Sequence, residues 1–96
     1  MQKNKANIYN EIVNFLKSRN AKKISVFGSY IHNDELPGSD IDILVEFNDN
    51  KTLLDLIGIE QDLSDKLQIN VDLLTEESIS PYLIERVKDE MKVIYQ

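Results

Sequence analysis

The stretch Asp40-Ile41-Asp42-Ile43-Leu44-Val45-Glu46-Phe47 constrains the fold more than any other part of the chain. Side chains alternate across a strand with period two, so Ile41, Ile43, Val45 and Phe47 share one face. Asp40, Asp42, Leu44 and Glu46 share the other. The apolar face needs a covering layer, and the acidic face needs water or cations. Ile8, Ile12, Phe15 and Leu16 recur at helical spacing and predict an amphipathic helix over residues 6–19. From Thr52 to about Leu67, the residues Leu53, Leu56, Ile57, Leu63 and Leu67 predict a second helix. Ser80 followed by Pro81 caps and opens a third, with Leu83, Ile84, Val87 and Met91 inward.

Shorter apolar runs predict strands at residues 24–27, 68–74 and, at the end of the chain, 93–95. Residues 30–39 hold Asn33, Asp34, Pro37, Gly38 and Ser39 and read as a loop. Asn48-Asp49-Asn50 reads as a turn able to cap the helix after it. The expected fold is therefore α/β (α+β), a small mixed sheet with helices packed on one face. The opposite face is left open, and the acids point there.

Ninety-six residues are expected to form a single domain, 1–96, burying roughly 60–70% of the unfolded surface. Without cysteine the chain has no disulfide, no thiolate nucleophile and no Cys-ligated zinc. A single histidine argues against a multi-His metal site. Apolar runs such as Ile41 to Val45 are far shorter than a membrane span, so a cytoplasmic protein is expected. Net charge is −6, which discourages non-specific contact with nucleic acid. Residues 1–24 carry +5 and the remainder −11, an acidic body behind a basic segment.

Two carboxylates in parallel on one strand face repel each other. Asp40 and Asp42 alone would still be an ordinary solvated face; their company changes the reading. Divalent cations remove the conflict, because Mg²⁺ prefers carboxylate oxygens, water and phosphate. Two such ions can hold the attacking and leaving oxygens of a phosphoryl displacement. Asp72 points to the open face of its own strand, and pairing that strand with 40–47 adds a third carboxylate. Gly28-Ser29 ends the preceding strand, where glycine lets a ligand approach the backbone and serine offers a hydroxyl. A helix opening near Tyr30 would add free N–H groups for phosphate.

Val26-Phe27-Gly28-Ser29-Tyr30, then Gly38-Ser39-Asp40-Ile41-Asp42-Ile43-Leu44-Val45, then Val71-Asp72-Leu73-Leu74 resembles the polymerase β-type nucleotidyltransferase superfamily. More narrowly, the chain is similar to minimal nucleotidyltransferase (MNT) domain proteins over nearly its whole length. The resemblance implies that Gly28 and Ser29, with Ser39 nearby, bind the phosphates of ATP. It implies that Asp40, Asp42 and Asp72 ligate two Mg²⁺ ions, with Mn²⁺ as a substitute, and that Asp72 helps orient or deprotonate an acceptor hydroxyl. That hydroxyl attacks the α-phosphorus and pyrophosphate leaves. One departure stands out. After Gly-Ser-Tyr the family continues with a small residue and Arg-Gly, where this chain has Ile31-His32-Asn33.

The resemblance also implies a partner. MNT proteins pair with helical HEPN toxins, which they neutralise by transferring AMP from ATP to a tyrosine. The expectation is an adenylyltransferase antitoxin of a HEPN-type protein, with a homo- or hetero-oligomer completing the acceptor site. Two alternatives stand beside it: a non-catalytic antitoxin acting by contact, and a nucleotidyltransferase for small molecules.

Overall fold

The computed structural model describes residues 5–28 and 40–96. Its elements run α1 (Lys5–Lys17), β1 (Ala21–Phe27), β2 (Ile41–Phe47), α2 (Leu53–Leu67), β3 (Val71–Leu74), a 3₁₀ turn (Glu76–Ser78), α3 (Pro81–Glu90) and β4 (Lys92–Tyr95). The four strands form one mixed sheet in the order β3-β2-β1-β4. β1 is antiparallel to both β2 and β4, and β3 runs parallel to β2. The parallel pair needs a crossover, which α2 provides. No helix among the described residues is long and apolar enough to cross a membrane.

The alternation expected for β2 is what builds the core. Ile41, Ile43 and Val45 are buried with Ile24 and Val26 of β1, Val71 and Leu73 of β3, and Ile8, Ile12 and Leu16 of α1. α2 adds Ile59, Leu63 and Leu67. Leu53 and Ile57, two of the residues that mark this helix in the sequence, are exposed, as is Leu54. Length explains this. α2 packs chiefly on β3, and 15 helical residues span ~22 Å against ~13 Å for a four-residue strand. The first turns of the helix overhang its support. Leu83 of α3 is likewise half exposed, and α3 contributes no fully buried residue.

The second sheet face is less open than expected. Leu44 and Ser25, register partners on β2 and β1, are 5% and 1% exposed. The 3₁₀ turn packs against β2 on the chain that follows β3, and Lys88 of α3 pairs with Glu76 of that turn at 3.2 Å.

Local chemistry fixes the helix ends. Thr52 caps α2 in a reciprocal box: its hydroxyl accepts from Asp55 N–H at 3.1 Å, and Asp55 Oδ2 accepts from Thr52 N–H at 3.0 Å. The helix closes at Gln68, which adopts φ +57° and donates its N–H to the Ser64 carbonyl. Ser80 and Pro81 open α3 as the sequence predicts. Gly58, exposed in the middle of α2, has no atom within 4 Å of where a Cβ would stand. Gly58→Ala is therefore expected to stabilise the fold by about 1 kcal/mol. Thermal unfolding checks it, with a rise of about 4–8 °C expected for a domain of this size.

Candidate active site

The β-sheet places the candidate carboxylates by backbone register. Asp42 and Asp72 are direct partners across the parallel β2–β3 pair. Phe27, the residue before Gly28, is the partner of Asp42 on the other side. Asp42 thus stands between the end of β1 and the carboxylate of β3. Asp40 precedes β2 and is exposed. Ser29 and Ser39, with Tyr30, His32 and Asn33, lie outside the described residues.

Gly28 is the tightest point of the site. Its φ is +82°, a conformation L side chains rarely adopt, and a Cβ there would overlap the Asp42 Oδ2 atom. The backbone therefore comes against the carboxylate itself, leaving a cradle that any larger residue would fill. The signal in sequence was the Gly-Ser at the strand end. The left-handed twist and its contact with Asp42 were not legible there.

Electrostatics make the same point. The Asp42 carboxyl is pushed up to about 6, first by burial, then by its hydrogen bond with Asp72 and by the charges of Asp72 and Asp40. Two carboxyls directly opposite on neighbouring strands cannot both ionise cheaply without a cation. Among the described residues no three acidic or imidazole groups are already gathered closely enough to hold an ion. The Asp42–Asp72 pair is gathered, and Asp40 lies within reach of its field. Hard oxygen donors of this kind suit Mg²⁺ or Mn²⁺, so the donor set fits.

Beside the pair opens a cleft of about 460 Å³, lined by Asp40 and Asp72 and, from α2, by Glu60, Gln61, Ser64 and Asp65. The α2 residues were not expected. Their one signal is position: Glu60 and Ser64 directly follow the buried Ile59 and Leu63 along the helix. A second cleft, of about 440 Å³, lies at the opposite end of β2 among Lys22, Glu46, Asp49, Lys51 and Glu76. Its charges offset one another, as in the Lys51–Asp49 ion pair at 3.0 Å. The first cleft is the one that holds two of the candidate carboxylates, Asp40 and Asp72.

Residues 9–94 match the nucleotidyltransferase domain family. A Methanocaldococcus jannaschii protein assigned as a protein adenylyltransferase is 43% identical over 83 residues, covering 86% of this chain and 89% of that one. In the crystal structure of a toxin–antitoxin complex with AMP-PNP, one chain matches at a TM-score of 0.82 and 29% identity, over 91% of this chain and 72% of that one. A tri-AMPylated Shewanella oneidensis HEPN toxin in complex with its MNT antitoxin matches at 0.74 and 28%, over 92% and 69%. The expected fold is the one observed, and a solved minimal nucleotidyltransferase structure matches it at a TM-score of 0.76 and 30% identity, over 88% of this chain and 86% of that one. Sequence, topology and the strand-end carboxylates agree: the chain belongs to the nucleotidyltransferase domain family and is an enzyme of the minimal nucleotidyltransferase type.

Proposed function

We propose that this chain is a metal-dependent adenylyltransferase that moves AMP from ATP to a hydroxyl of a HEPN-type toxin and serves as its antitoxin. The observation that carries the reading is the register of Asp42 opposite Asp72, with Gly28 backbone against Asp42. The named relatives support it, one as a protein adenylyltransferase and one as an antitoxin bound to an AMPylated toxin.

Asp40, Asp42 and Asp72 would hold Mg²⁺, which when bound neutralises phosphate charge and favours loss of the acceptor proton. The chain's own residues supply position. Gly28 admits a phosphate to the backbone, and the undescribed Ser29 and Ser39 stand next to it and to Asp40 in sequence as further phosphate contacts. Asp42, released from its proton above about pH 6, adds its negative charge to the floor of the site. Asp72, exposed on the cleft side, orients the acceptor hydroxyl and receives its proton. The acceptor oxygen bonds to the α-phosphorus, the bond to the β-phosphate oxygen breaks, and pyrophosphate leaves. Positioning and charge do the work, as in other phosphoryl transfers.

The test is transfer itself. The protein, a co-expressed HEPN-type toxin, α-labelled ATP and Mg²⁺ should give label on the toxin and a mass gain of AMP on one of its hydroxyls. Neutralisation of the toxin without label would replace this reading with inhibition by contact. Label on a small molecule or RNA would keep the transferase and discard the protein acceptor.

A further inference from the structure

Among the described residues, the outer edge of β3 is finished by side chains rather than by another strand. Ile41 N–H donates to the Asn70 carbonyl at 2.9 Å, opening the parallel ladder. Successive N–H groups of a strand point to opposite sides, so those of Val71 and Leu73 face away from β2. Edge donors of that kind are commonly left to water or to another chain. Here the Ser64 hydroxyl accepts from Val71 N–H at 3.0 Å, and the Glu60 carboxylate accepts from Leu73 N–H at 2.8 Å.

The spacings match. Glu60 and Ser64 stand four residues apart on α2, a rise of about 6 Å on one helix face. Val71 and Leu73 stand two apart on β3, about 6.6 Å along the strand. The residue between the two held amides is Asp72. Both acceptors also line the cleft shared by Asp40 and Asp72.

We propose that Glu60 and Ser64 are positioning residues for Asp72. They pin β3 at two points, one on either side of it, and so fix where its carboxylate meets Asp42. The bond from Glu60 joins a carboxylate to a backbone N–H, the stronger kind, and it makes Glu60 the principal holder. This inference rests on the reading that Asp72 is a metal ligand.

Amide NMR of the whole chain, with Mn²⁺ alone as the probe, tests it. In Glu60→Ala, hydrogen exchange at Leu73 should quicken and the Mn²⁺ concentration that broadens Asp72 should rise about tenfold, as for other groups that orient a metal ligand. Glu60→Gln keeps an accepting oxygen and should return both values to within about threefold of wild type. An unchanged Mn²⁺ midpoint in Glu60→Ala, or a Gln variant as impaired as Ala, overturns the proposal. Should Glu60→Ala fail to fold, Ser64→Ala carries the test at Val71, with a shift of about threefold expected; a wild-type midpoint there overturns it. Mn²⁺ broadening at Asp72 that responds to Glu60 in a protein unable to transfer AMP would sink the adenylyltransferase reading and uphold the positioning role. Absence of broadening at Asp72 in wild type would overturn both.

Discussion

Asp42→Asn is expected to make the metal-free protein more stable and to abolish nucleotidyl transfer. The two effects share one cause. Asp42 keeps its proton up to about pH 6 in the folded state, whereas an unfolded aspartate loses it near 3.8. Between those values the folded state binds the extra proton, so stability falls as pH rises from about 4 to 6 and is level above. The carboxylate is only half-buried, and solvent screening reduces the cost at neutral pH to about 1 kcal/mol. Asparagine carries no such cost. Thermal melts of metal-free protein from pH 4 to 8 should show the wild type losing about 4–8 °C and the variant staying flat. Transfer should fall at least a thousandfold, the loss of about 4 kcal/mol of charge stabilisation. Mn²⁺ affinity of the wild type should fall about tenfold for each pH unit below 6, since metal and proton compete for the same oxygens. A variant that melts like wild type across this range would remove the Asp42–Asp72 repulsion from the account.

Gly28→Ala is the other large effect, and it separates site from fold. The substitution meets a positive φ, which costs about 1–2 kcal/mol for a residue with a Cβ. The atom it would overlap is the far end of the Asp42 side chain, not backbone, so the carboxylate yields by rotating away. The sheet survives while the carboxylate loses its place. Misplacing a reacting or ligating group by about 1 Å costs about a hundredfold in rate. The expected result is a folded protein with a modestly lower Tm, a circular dichroism spectrum like wild type, and transfer reduced a hundredfold or more. Activity within about tenfold of wild type would mean that the backbone at Gly28 is not a close approach point.

Much of this was legible in the residues, and the reasons differ by element. The Asp40–Phe47 alternation, the Ser80-Pro81 start of α3 and the Ile8, Ile12, Leu16 stripe are local patterns with local causes, and each appears where expected. β1 was expected over residues 24–27 and runs from Ala21, because Ala21 and Lys23 pair with Phe47 and Glu46 across a bulge at Lys22, and backbone pairing of this kind carries no apolar signal. The cap of α2 is Thr52 rather than the Asn48–Asn50 turn. Asn48 is engaged elsewhere, its backbone and side-chain N–H groups donating to the Asn20 carbonyl at 2.8 and 3.2 Å. The burial of Leu44 and Ser25, the contact of Gly28 with Asp42 and the reach of Glu60 to Leu73 depend on segments distant in sequence. No periodicity announces them.

The register between β2 and β3 has a consequence for the fidelity of assembly. Val71 and Leu73 are buried, and Asp72 between them faces the other way. A slip of one residue would send Asp72 into the core and the two apolar side chains to water. Misassembly at the site is thus also misassembly of the core. The chain cannot fold stably with Asp72 turned to the wrong face, so a check on which way that carboxylate points is built into folding.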